Sequence, residues 1–204
     1  GSILTQVDWT GGGGQQDFVD DSQYSDDSGT VDAHSVPTGL RLEKTAGDYA
    51  ASGWLESSTF DTGTDATNFT TLTFAPLAQD PTTTLRFQVA ANNDNATWDF
   101  IGPDGTASTY YTVSGTNLHA DLDGNRYVRY KVFLATTNTA RTPVLTSIGL
   151  NYVSGCFSPG QSMFSNLTAG NNYTIEVGMT GYQTYTANSV QVGGTQVLEV
   201  LLSQ

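Results

Sequence analysis

The stretch that most narrows the choice of fold is Arg126 to Leu134, where residues of opposite character alternate. Val128, Tyr130, Val132 and Leu134 take one parity; Tyr127, Arg129, Lys131 and Phe133 take the other. A period of two puts each set on its own face of an extended strand, whereas a helix would scatter both around its axis. Leu85-Arg86-Phe87-Gln88-Val89 repeats the pattern, with Leu85, Phe87 and Val89 inward and Arg86 and Gln88 outward. Three of the seven basic residues fall in Arg126 to Leu134. If the Arg86 strand lies beside it, a basic stripe results on an otherwise acidic chain.

Further strands are expected at Leu40-Arg41-Leu42, at Trp54 to Ser57, at Thr70 to Phe74, and after Thr142-Pro143, where Ile148, Leu150 and Tyr152 are in phase. In the second of these, alternation places Trp54, Glu56, Ser58 and Phe60 on one face before Asp61-Thr62-Gly63 breaks the run. The segment Trp98 to Tyr111 contains Pro103-Asp104-Gly105, in which proline fixes φ at the first inner position of a turn and glycine supplies a positive φ. No stretch shows a helical period of any length. Short strands separated by turns imply an all-β chain, an antiparallel β-sandwich of jelly-roll-like character.

After Val153 the sequence changes character, and no Lys or Arg follows Arg141. Tyr173, Ile175, Val177 and Met179 alternate inward, and strands are expected near Tyr185 to Val192 and Gln196 to Leu202. About fifty residues bury too little surface to be comfortable alone. The expected organisation is therefore a β-sandwich domain over 1–153 with an acidic N-terminal loop, and a small β segment over 154–204 that packs on it or forms a second small sandwich. Within the first part, Gly11 to Pro37, opening on four glycines, reads as a long surface loop or arm held by Trp9, Phe18 and Tyr24.

Asp and Glu number 20 against 7 Lys and Arg, a formal net charge of -13. Nucleic acid is thereby excluded as a partner, since phosphate binding needs a basic footprint. Sparse charge with abundant Thr, Ser, Asn and Gly suits an extracellular β-protein. Cys156 is alone, so an intramolecular disulfide is impossible, and it reads as a small core residue. No apolar run reaches the length of a membrane helix. The opening Gly1-Ser2 reads as a cloning remnant, with an export signal or membrane anchor expected upstream in the natural protein.

Trp54-Leu55-Glu56-Ser57-Ser58, Phe60-Asp61-Thr62-Gly63, Gly102-Pro103-Asp104-Gly105-Thr106, Tyr127-Val128-Arg129-Tyr130-Lys131 and Thr142-Pro143-Val144-Leu145 together resemble a β-sandwich module of bacterial surface proteins. That group includes pilin-like proteins with an N-terminal anchoring helix, and the resemblance spans roughly residues 3–153. It implies a location at the cell surface and carries no catalytic residues. The tail is similar to the second half of a carboxypeptidase-regulatory-like, or CnaB-like, sandwich through Gly160 to Phe164, Leu167 to Gly170, Tyr173 to Val177 and Gly181 to Tyr185. The first strands of such a sandwich are missing from the tail, and it has no lysine for an isopeptide bond. The missing strands can come from an upstream segment, from the first domain or from another subunit by strand addition.

Catalysis finds little support. His34 and His119, the two histidines, lie far apart and read as surface or turn residues. The glycine run lacks the lysine and following helix of a phosphate loop. Calcium is a candidate structural ion, because Asp121, Asp123 and Asn125 alternate before a strand and Asp94 and Asp104 stand in neighbouring loops; the alternative is a set of turns held by Asp and Asn side chains. Carbohydrate is a candidate ligand through exposed aromatics among Trp54, Trp98, Tyr110, Tyr111 and Tyr127, the alternative being a core role for these rings. The expected ligand-binding set is Trp98, Tyr110, Tyr111, Arg129 and Lys131. Asn-x-Ser/Thr sequences at Asn68, Asn95, Asn166 and Asn172 are chance occurrences in a chain rich in Thr and Asn. The sequence thus points to a non-enzymatic surface or pilin-like subunit acting in assembly or adhesion, whose partners are other surface subunits and glycans. The rival is a carbohydrate-binding module of a secreted enzyme.

Overall fold

The computed structural model describes residues 3–6, 18, 23–33, 39–154, 168–193 and 198–203. The readings made above of Trp9, Gly11 to Gly14, His34, Cys156 and Asn166 fall outside the described residues. The chain divides into two compact units, Gly1–Gln161 and Ser162–Gln204.

The first unit opens with β1 (Ile3–Gln6), β2 (Asp26–Asp27), β3 (Val31–Asp32), β4 (Leu40–Leu42), β5 (Lys44–Thr45) and β6 (Asp48–Tyr49). Then come β7 (Ser52–Glu56), β8 (Phe60–Asp61), β9 (Thr67–Ala75) and β10 (Thr83–Asn92). β11 (Thr116–Asn117), a 3-10 turn at Ala120–Leu122, β12 (Tyr127–Thr136), β13 (Val144–Leu145) and β14 (Ser147–Ser154) complete it. One sheet has the order β1-β14-β9-β11 and the other β10-β12-β7-β2, with β8 added to β12 past the end of β7. A smaller sheet, β13-β4-β3, and the hairpin β5–β6 accompany them. The chain is all-β and the unit is an antiparallel β-sandwich.

The alternating strands do what their pattern requires. Val128, Tyr130, Val132 and Leu134 of β12 and Leu85, Phe87 and Val89 of β10 are buried, and they meet Phe69, Leu72, Ile148 and Leu150 from the opposite sheet. The rings of Phe74 and Phe87, one from each sheet, lie 4.6 Å apart. Removal of these apolar faces from water is the main force holding the layers together.

Two irregularities correct the simple alternation. Glu56 stands opposite Lys131, yet Phe60 stands opposite Val128, so one extra residue has been inserted between β7 and β8. The buried Ser57 makes this possible: its Oγ accepts the Tyr130 N–H at 3.0 Å and donates to the Ser58 carbonyl. The bulge flips the face of everything after it. Phe60, expected beside Trp54 and Glu56, instead turns inward and meets Tyr152 edge-on at 5.7 Å. In the other sheet the register slips at Thr70, whose Oγ1 donates to the Asn151 carbonyl.

The acidic N-terminal stretch is also less of a loop than expected. Asp26–Asp27 pairs with β7 and Val31–Asp32 with β4, giving each sheet a short polar edge. Phe18 is buried and stacks on Tyr24 at 5.9 Å, as an anchoring role requires. Short charged edges of this kind resist pairing with other chains.

In the second unit, β15 (Asn172–Val177) pairs with β16 (Tyr185–Gln191). The parity of Tyr173, Ile175 and Val177 is as expected, but all three are half-buried, and Met179, beyond the strand end, is exposed. Of the strand expected over Gln196 to Leu202, the described part is irregular: residues 198–203 form no strand, and Leu198 and Leu201 are exposed. Alternation there has no described neighbouring strand to pair with.

Candidate functional site

The outer face of the β10-β12-β7 sheet carries the second set of alternating residues. The register sets Phe133 opposite both Arg86 and Trp54, and Lys131 opposite both Gln88 and Glu56. The basic stripe therefore forms, but interleaved with aromatic rings. Over it folds the loop between β10 and β12.

This loop is tied down along the free edge of β10. Ile101 and Val89 exchange two backbone hydrogen bonds, and Tyr111 and Phe87 exchange two more. Between these ties the Gly102 N–H donates to the Thr106 carbonyl and the Gly105 N–H to the Gly102 carbonyl, closing the Pro103-Asp104 turn with Gly105 at φ +80. A side chain at Gly102 would collide with the Thr109 backbone at 2.2 Å, so the two limbs of the loop cross where only glycine fits. Gln88, in the strand beneath, donates its Nε2 to the carbonyls of Ala107 and Thr109 and holds the loop over the sheet. Covered in this way, Gln88 is 5% exposed although its parity points outward.

Loop and sheet border an open groove of about 460 Å³. Trp54, Trp98, Phe100 and Phe133 supply aromatic walls, Gln88 and Lys131 lie beneath, and Asp99, Ile101 and Ala107 complete the lining. This falls in the size range of small-molecule sites, roughly 300–1,000 Å³. The cations sit on ring faces: Lys131 Nζ lies 3.7 Å from the Trp54 centroid and 5.6 Å from that of Phe100, and Arg129 Cζ lies 4.2 Å from that of Trp98. Such contacts fix the rings and the long side chains together. Glu56 joins the two cations, 2.9 Å from Arg129 and 3.8 Å from Lys131.

Of the five residues expected to bind ligand, Trp98 and Lys131 line the groove. Arg129 stands against the Trp98 ring, and its Nε and Nη1 donate to Thr59, Ser25 and Glu56, so it serves as a support for that ring. Tyr110 flanks the groove, stacked on Arg86 at 4.2 Å and edge-on to Phe133 at 5.3 Å. Tyr111 is a correction. It is 1% exposed, its hydroxyl accepts the His119 N–H, and burial pushes its phenol above the ordinary range. The chain is extended beside β10 at this point, so of two consecutive tyrosines only one faces out. Phe100, Phe133, Gln88 and Asp99 were missing from the expected set. The outward parity of Phe133 and Gln88 was legible; that a loop would fold over them was not.

The residues considered for calcium are built into turns. Asp94 accepts from the N–H groups of Ala96 and Thr97 and from the Thr97 hydroxyl, and these bonds, backbone first, hold its carboxyl below the usual value. Asp104 is held down by the Thr109 hydroxyl and by Thr106. Asp123 accepts the Phe69 N–H at 2.7 Å and the Asn68 side-chain amide at 2.9 Å, yet burial raises its pKa. Asn125 donates to the carbonyls of Leu122 and Asp123, and Asp121 is exposed beside His119. Among the described residues no group of three or more His, Cys, Asp and Glu is arranged to hold a metal ion. The loops do meet: Asn93 donates to the Gly124 carbonyl and accepts the Arg126 N–H. His119 packs on Gly105 and its Nδ1 accepts the Asp121 N–H, a turn role.

No family model, curated protein or solved structure matches the chain.

Proposed function

We propose that the chain is a non-catalytic recognition module of an extracellular surface protein, of the pilin-like or surface-fibre kind, and that it acts in adhesion by binding carbohydrate in the outer-face groove. One observation carries this reading: four aromatic side chains with polar groups between them converge on one groove, positioned by a loop pinned at both ends. Sugar rings present apolar C–H faces and polar edges, and such a lining meets both. The surface location rests on the module resemblance and on the low charge of the sequence. His119 is spent on holding a turn, which favours recognition over catalysis.

A glycan array probed with the full chain tests the proposal. Specific binding that weakens about tenfold, or about 1.4 kcal/mol, in Trp98→Ala is the expected result. Trp98 sits in the loop, so its loss should spare the fold. Absence of binding to every glycan, or binding indifferent to Trp98 and Trp54, would overturn the assignment of the groove.

A further inference from the structure

Resting on the carbohydrate reading, we infer that the groove selects a neutral, hydroxyl-rich pyranose glycan and discriminates against acidic sugars. The first ground is Gln88. Two carbonyls, of Ala107 at 2.8 Å and Thr109 at 3.0 Å, dictate that its Nε2 faces the loop. Its Oε1 accepts no bond from any described residue, although the side chain is 95% buried and lines the groove. A buried acceptor without a donor is costly, and a ligand hydroxyl supplies the missing donor. An apolar ligand would seal it in unpaired.

Asp99 is the second ground. It is exposed at the groove, and no described residue donates to its carboxylate, unlike Asp94 and Asp104 in the same loop. A free carboxylate accepts from two neighbouring hydroxyls. Lys131, between Trp54 and Phe100, donates in the opposite sense. Two acceptors and a donor among aromatic faces match a polyol, whose hydroxyls both give and take hydrogen bonds.

Charge decides the class. Arg129 and Lys131 share Glu56, and Asp99 lines the same groove as Lys131. Both cations are paired within the sheet, so an acidic ligand finds no unspent counter-charge. A polyanion also approaches a chain of net charge -13.

Calorimetric titration of the full chain with neutral hexose oligosaccharides and uronic-acid oligosaccharides of equal length tests this. The neutral series should bind at least about tenfold more tightly than the uronic-acid series. A uronic-acid series binding equally or better overturns the inference and leaves the carbohydrate reading standing; no binding by either series overturns both. Asp99→Asn, at an exposed side chain bonded to no described residue, should keep the wild-type melt and lose about tenfold in affinity for the neutral series. Unchanged affinity in that variant would overturn the role given to Asp99.

Discussion

β12 and β15 carry the same alternating pattern and come to different ends. In β12 the inward residues Val128, Tyr130 and Val132 are fully buried, while in β15 Tyr173, Ile175 and Val177 remain half-buried. β12 has strands on both sides and a second sheet across from it; β15 has β16, and no described residue of the second unit is buried. Alternation makes a face. A core needs a second face to close on it, and a two-stranded ribbon by itself provides none.

The largest expected effect tests that contrast directly. Phe87→Ala, at a ring 0% exposed and packed on Phe74, should cost about 3–5 kcal/mol in chemical denaturation, whereas Ile175→Ala should cost about 0.5 kcal/mol. An Ile175→Ala cost approaching that of Phe87→Ala would show that the ribbon's face is covered, and the comparison would fail. Next comes the bulge. Ser57→Ala leaves the Tyr130 N–H unpaired in the core and should cost about 1–3 kcal/mol, with the same measurement as the check.

Smaller effects are expected from acid. Asp61 is held below its usual value by its bond from Arg126, Asp80 by Thr82, Asp94 by Thr97 and Ala96, and Asp104 by Thr109 and Thr106. Their depressed folded values mean stability fully present above the unfolded value near 3.8 and lost as the pH falls through the lower folded value. Asp123 runs the other way: burial raises its folded value, so the proton is held more tightly in the native state and acidification relieves the buried charge. All five belong to the first unit, and Asp61, Asp94 and Asp104 are exposed while Asp80 is half-buried, so solvent screens these four. Denaturation midpoints should therefore hold steady down to the ordinary carboxylate range and fall below it; a monotonic rise on acidification would mean that Asp123 outweighs the rest. The smallest effect concerns calcium. Asp94, Asp104 and Asp123 already accept hydrogen bonds within the loops, so the melting temperature should change little between calcium and chelator; a clear rise with calcium would identify these residues as ligands.

Much of the first unit was legible because parity is a local property. The inward sets of β10, β12 and β14 follow from which residues alternate, and so does the outward sharing of Arg129, Lys131 and Phe133. The face of Phe60 was not legible, because a buried serine hydroxyl inserted itself in the ladder and shifted the phase. Nor was the division between Tyr110 and Tyr111, which depends on the edge of β10 that the loop borrows. Short polar strands such as Asp26–Asp27 gave no signal, since backbone pairing with β7 makes them and not their side chains.

The sequence by itself determined that the chain is all-β, which residues share a strand face, and that Pro103-Asp104-Gly105 turns. Tertiary structure decided what those faces meet. Gln88 was an outward polar residue until a loop twenty residues downstream crossed over it, and Trp98 was a loop aromatic until it settled on Arg129. The groove exists because residues distant in sequence are brought together by pairing and by the cost of leaving backbone groups unsatisfied, and neither is written in any one stretch of the chain.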